Sequence, residues 1–262
     1  MRKNIAICLA LVATSWVATG CHGILDDIYD DPDGKLVARQ GQLVVNATSW
    51  TDWYYIDFDS LADLAQRGDS VGLEHAQTHF TAWPIPLALT TQEPADSVSG
   101  IYTYWFDVFG QGLSVNEKRT FKATDPQPEP EHWSIAVHRN NVRTNGGAVL
   151  ETNYTSMDEL PPSSATFTGD DFQADTWTEN MVWTDESQML MSIIGSQGIK
   201  VNTVLSSWIK IDIPPMPPAF SGNNHVFLIR FPNGKYAAVQ LENYMNAAGV
   251  KCWLTINYKY PY

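Results

Sequence analysis

The chain has 262 residues, with 29 acidic against 16 basic side chains and a formal charge of −13. That charge makes nucleic acid and anionic membrane surfaces poor partners, because both would repel it. Three cysteines leave little scope for a disulfide framework, and beyond the N-terminus no stretch has the length of a membrane-spanning helix.

Residues 1–20 have the layout of an export signal: Arg2 and Lys3, an apolar run from Ile5 to Val17, then small residues to Gly20. Cys21 follows at once, and Val17-Ala18-Thr19-Gly20-Cys21 resembles a bacterial lipobox, in which that cysteine is the lipidated first residue of the mature chain. Residues 21–40 then read as a solvated tether, with Asp26, Asp27, Asp30, Asp31 and Asp33 repelling one another. The acidic run also looks like the surface-export signal of some Gram-negative lipoproteins, which would put the domain on the outer face of the outer membrane, held there by lipid alone. Cys8 leaves with the signal and Cys21 takes lipid, so Cys252 stands alone in the mature domain. Its alternation with Leu254, Ile256 and Tyr258 predicts an inward-facing core thiol.

From residue 41 to 262 aromatic and β-branched residues come in short bursts separated by Gly, Pro, Asn and Asp, the pattern of many short strands. The bursts are Leu43–Val45, Trp53–Phe58, Ile101–Phe109, Trp133–His138, Val226–Phe231, Tyr236–Leu241 and Trp253–Tyr260. Pro232, Asn233 and Gly234 join two of them into a hairpin. Helical signal is thin: a capped segment from Ser60 to about Gly68, and a turn at Asn243–Ala248. The expected class is all-β with minor helix.

Two segments carry methionines in unusual settings. Met189 and Met191 follow a polar turn of Asp185, Glu186 and Ser187, and Met216 is flanked by Pro214, Pro215, Pro217 and Pro218, which read as a stiff extended loop. Core packing is the commoner use of methionine. The alternative is that one thioether from each segment ligates a soft metal centre such as haem iron. Other chemistry has less support. His75 and His79 have zinc-compatible spacing but no third ligand nearby. Asp57 with Asp59, read as alternating on a strand edge, and Asp170 with Asp171 offer carboxylates at no fixed separation. Nucleophile-elbow, zinc-protease and phosphate-loop motifs are missing from the sequence, so an enzyme is not expected. Ten tryptophans and eleven tyrosines also fit a carbohydrate-binding or adhesin-like β scaffold, the rival reading.

Trp53–Phe58 within WTDWYYIDF, the run HWSIAVHRNNVRTNGGAVLETNYTSMDEL from His132, and the tail from Val226 to Tyr262 resemble the HmuY family of haem-binding outer-membrane lipoproteins. The resemblance implies two packed antiparallel sheets, with haem gripped at one edge by two loops that each donate an axial ligand. The founding type uses a histidine on each loop; here Ser187 and Ile213 fall at those places, which excludes a bis-histidine site. Other branches resemble a methionine pair, which implies Met189 and Met216, with Met191 as substitute for Met189. Ile193, Ile211, Ile213, Pro214 and Phe220 would then cover the porphyrin, and Lys200 or Lys210 would meet a propionate. The implied function is capture of haem, free or from host haem-proteins and favoured in the ferrous state, with transfer to an outer-membrane transporter. Relative to the founding type the chain carries an insertion at about 59–131.

Overall fold

The computed structural model describes residues 38–85, 102–107, 128–187, 189–191, 193–212 and 219–262. The signal segment, Cys21 and nearly all of the tether lie outside the described residues, as do Ile213, Pro214 and Met216. In chain order the first strands and helices are β1 (Gln42–Asn46), β2 (Asp52–Ile56), α1 (Phe58–Arg67), α2 (Ser70–Thr78), β3 (Ala82–Pro84) and β4 (Tyr102–Asp107). Next come β5 (Ile135–His138), β6 (Asn141–Thr144), β7 (Ala148–Glu151), β8 (Gln173–Ala174) and β9 (Thr176–Asp185). The last are β10 (Ile193–Val201), α3 (Thr203–Ser206), β11 (Ile209–Asp212), β12 (Ala219–Gly222), β13 (Phe227–Arg230), β14 (Tyr236–Met245) and β15 (Lys251–Lys259).

The all-β class holds, with four antiparallel sheets among the described residues. A six-stranded sheet has the order β1-β15-β14-β13-β7-β8, and a four-stranded sheet the order β3-β2-β5-β6. Smaller sheets are β4-β10-β9 and β11-β12. In β15 the alternation read from the sequence places Cys252, Leu254 and Ile256 inside, with Val45 of β1 opposite Leu254 and Leu43 opposite Ile256. Cys252 is buried, and burial raises its thiol pKa, as expected of a packing cysteine. The expected hairpin forms between β13 and β14; Gly234 takes φ +80 in its turn, where the Phe231 amide donates to the Lys235 carbonyl.

One apolar cluster joins the two large sheets. Val45, Phe227, Ile229 and Leu254 come from the six-stranded sheet, Ile56, Ile135 and Val137 from the four-stranded one, and Leu205 and Trp208 fill the end. Full burial of each such side chain is worth about 1.5–3 kcal/mol. The four-stranded sheet is covered on its other face too. Trp53, Trp133 and Ala136 pack there against Val182 of β9 and Ile199 and Val201 of β10. Alternate residues of β5 therefore enter different cores, which is why Ile135, Ala136, Val137 and His138 are all buried.

Three local expectations need correction. β2 stops at Ile56 because Asp57 caps α1: its Oδ1 accepts from the Asp59 amide at 3.0 Å and its Oδ2 from the Ser60 hydroxyl at 2.5 Å. Asp57 and Asp59 are thus at a helix start, not on a strand edge, and the Asp59 carboxylate accepts from Tyr260 Oη at 2.7 Å and from Lys235 Nζ. Those two donors hold its pKa below the usual carboxylate range. The Asn243–Ala248 turn is no helix: β14 runs on to Met245, and Asn246 Oδ1 accepts from the Ala248 and Val250 amides in a tight turn. Finally, a second helix, α2, forms despite Gly72, because Asp69 caps it; a side chain at Gly72 would meet that carboxylate at 2.5 Å. Replacing Asp57 by alanine should cost about 1 kcal/mol, since it orphans the Asp59 amide; a urea midpoint unchanged from the parent would contradict the capping role.

Candidate functional site

The β9–β10 hairpin projects its loop from Asp185, which pairs with Gly195. Asp185 Oδ1 accepts from the Ser187 amide at 2.8 Å, and the Met189 amide donates to the Glu186 carbonyl at 2.9 Å. These two bonds wind the chain into a 3-10 turn over Met189–Met191. Met189 is half-buried, while Leu190 is fully exposed.

β4 pairs with the opposite edge of β10 and brings Asp107 beside Ile193, next to this turn. The segment between β2 and β5 thus supplies α1, α2, β3 and β4, and one of its strands borders the methionine loop. Sequence reading found the strand but had no means of pairing it, since register is set by tertiary partners.

The hairpin is fixed to the body by His138. Its ring is fully buried, with Nδ1 2.8 Å from the Asp52 carbonyl and Nε2 2.9 Å from the Trp183 carbonyl. A neutral ring donates to one of these at a time. Burial depresses its pKa and outweighs the pull of the two carbonyls; Arg139 lowers it further, and Asp52 opposes. The unfolded chain therefore takes up this proton more readily than the folded one, so stability is fully present above about pH 6.5 and declines as pH falls below it. A His138→Gln variant should show a flatter stability–pH curve between about pH 5 and 7 than the parent, in urea titrations across that window; identical slopes would remove His138 as the cause.

The second loop leaves β11 and returns in β12, with Ile211 paired to Phe220 at its base. Trp208 anchors that base: its Nε1 donates to the Asn140 carbonyl at 2.9 Å, and its own carbonyl accepts from the Asn223 amide at 2.8 Å. Phe220 is stacked by Tyr244 at 5.4 Å and 19°, and Lys251 Nζ lies 3.9 Å from its ring centre. Tyr244 and Lys251 were missed in the sequence, since they arrive from β14 and β15. Lys210 is exposed and paired to Asp212 at 2.9 Å. Lys200 is opposite Trp177, at the other end of the hairpin from Met189. Of the remaining expected residues, Met191 and Ile193 are described by backbone alone, and Met216, Ile213 and Pro214 lie outside the described residues.

His75 and His79 stack at 4.3 Å, and His79 Nδ1 is 2.9 Å from the Thr78 hydroxyl. Among the described residues no group of three histidine, cysteine or carboxylate side chains is placed to hold a metal ion.

Packed antiparallel sheets that hold out two β-hairpins, one tipped by a methionine turn and one rooted on stacked aromatics, define a two-loop β-scaffold binding protein. The HmuY protein family model matches residues 49–258, and the chain belongs to the HmuY family. A candidate lipoprotein from Bacteroides fragilis is similar in structure, with a TM-score of 0.53 and 29% identity, covering 84% of this chain and 89% of its own. A candidate HmuY-like heme-binding protein from Bacteroides vulgatus gives 0.54 and 28%, over 87% and 97% of the two chains. The apo HmuY analog of Tannerella forsythia gives 0.53 and 19%, over 83% and 93%, a likeness of fold. No curated protein matches the sequence.

Proposed function

We propose that the protein is a surface haem-binding lipoprotein that takes haem as cargo between its two loops and passes it to an outer-membrane transporter. The observation that carries this reading is the half-buried Met189 on a tight turn at the tip of a braced hairpin, in a chain of the HmuY family. Met189 and Met216 are the proposed axial ligands, with Met191 as substitute for Met189. Ile211, Ile213 and Phe220 are the proposed apolar cover and Lys210 the propionate partner. The donor set suits haem iron: thioether sulfur is soft and neutral, Leu190 is the next residue of the same turn, and Ile211 and Phe220 pair at the root of the second loop. The likeness to a candidate heme-binding protein from Bacteroides vulgatus supports the same cargo. Cys21 is the proposed lipidation site, in keeping with the candidate lipoprotein from Bacteroides fragilis, and the outer face of the outer membrane is the proposed location.

A thioether pair favours ferrous over ferric iron relative to imidazole and takes up no proton in the physiological range. The test is a visible-absorption titration of the mature domain with haemin, in air and with dithionite. Saturable low-spin bands that strengthen with reductant and vary little between about pH 5 and 7.5 are expected. Any slope in that window is expected from the haem propionates and the acidic surface. A domain that gives only the spectrum of free haemin under both conditions would end the proposal.

A further inference from the structure

One concavity among the described residues is remote from the methionine turn. A cleft of about 330 Å³ opens among Trp133, Arg143, Asn145, Asp175, Trp177 and Lys200, at the small end of the roughly 300–1,000 Å³ range of small-molecule sites. Trp177 and Lys200 face each other across β9 and β10, at the end of the hairpin away from its loop. Eight residues of strand, about 26 Å, separate Trp177 from Asp185.

The wall of the cleft mixes charged, polar and aromatic side chains. Arg143 is buried under Trp133, its guanidinium 4.7 Å from the ring centre; it donates to Tyr55 Oη at 2.9 Å and pairs with Glu129. Burial pushes the Tyr55 phenol up to about 12, so it keeps its proton. Asp175 accepts from the Thr144 amide at 2.7 Å, the Thr144 hydroxyl at 2.9 Å and Asn202 Nδ2 at 3.1 Å. Burial raises its pKa, opposed first by the hydrogen bonds from Thr144 and Asn202 and least by the charge of Lys200. The formal charges lining the cleft balance: Arg143, ion-paired to Glu129, and Lys200 stand against the carboxylates of Glu129 and Asp175.

A wall without net charge selects against a free ion: phosphate would meet two carboxylates, a metal cation two cationic side chains. What it offers is fixed hydrogen-bond donors and acceptors beside the half-buried ring of Trp177. A pyranose has that complement, with hydroxyls that both donate and accept around an apolar C–H face. Trp133 and Asn145 also line an adjoining cleft that runs to Phe231 and Tyr260, which gives space for a neighbouring ring. We infer that this cleft is a second binding site, for a neutral sugar ring of a glycan, separate from the two-loop site and independent of whether that site takes haem.

The test is saturation-transfer NMR and tryptophan-fluorescence titration of the mature domain with glucose, galactose, mannose and N-acetylglucosamine, and with a short oligomer of each. At least one should bind saturably, and Trp177→Ala should weaken it about tenfold, while Trp177→Phe keeps most of the affinity. The haemin titration of both variants should match the parent, which separates this site from the proposed haem loops. Binding of inorganic phosphate in place of sugars, equal sugar affinity in Trp177→Ala, or no sugar binding at all would each overturn the inference.

Discussion

Replacing Met216 by alanine, or Met189 by alanine, is expected to remove the low-spin haem spectrum and to weaken ferrous haem binding by more than about a hundredfold. Loss of groups that merely orient a metal's ligands already costs about 10- to 100-fold, and these two side chains are proposed to bond the iron itself. The variants should fold normally. Met189 is half-buried on a loop, and Met216 is flanked by prolines between β11 and β12. Met189→His should restore a low-spin spectrum of imidazole type if the turn points its side chain at the iron, and the restored binding should weaken as pH falls toward the histidine range, near 6.5. Low-spin bands that survive both alanine substitutions would eliminate these ligands. Bands lost only in a Met191→Ala variant would move the first ligand two residues along the turn.

Trp208→Ala is expected to be the most destabilising single truncation, at about 3–5 kcal/mol. The side chain is fully buried and its indole N–H satisfies the Asn140 carbonyl at 2.9 Å. Truncation therefore opens a cavity in the main core and leaves the half-buried Asn140 carbonyl without its indole donor. Against a total stability of roughly 5–15 kcal/mol, that is a large fraction. Because Trp208 also roots the β11–β12 loop, haem binding should fall with it. Equilibrium urea unfolding reads the effect, with Trp177→Ala as a control that truncates a half-buried tryptophan. A Trp208→Ala midpoint shifted no further than that of the control would show that the core closes over the gap.

Local rules made much of this chain legible. Alternation in the tail predicted β15 and the inward Cys252, the Pro232-Asn233-Gly234 turn predicted the β13–β14 hairpin, and Ser60–Gly68 predicted the body of α1. Each of these signals rests on residues a few positions apart. The same locality explains the errors. WYYIDF reads as continuous strand until Asp57 is seen capping a helix, and Asn243–Ala248 reads as a helical turn until β15 is present to pair with β14.

The methionines on either side of the β10–β11 segment, their proline-rich setting and the HmuY resemblance were all determined by the sequence alone, because residue identity and spacing are written there. Tertiary structure alone decided what surrounds them. It set β4 beside β10, put His138 between carbonyls from β2 and β9, brought Tyr244 and Lys251 over Phe220, and gathered Arg143, Asp175 and Trp177 into one cleft at the far end of the hairpin. The physical reason is that strand pairing and the sharing of buried polar groups are fixed by long-range packing, which brings together residues that no sequence interval connects.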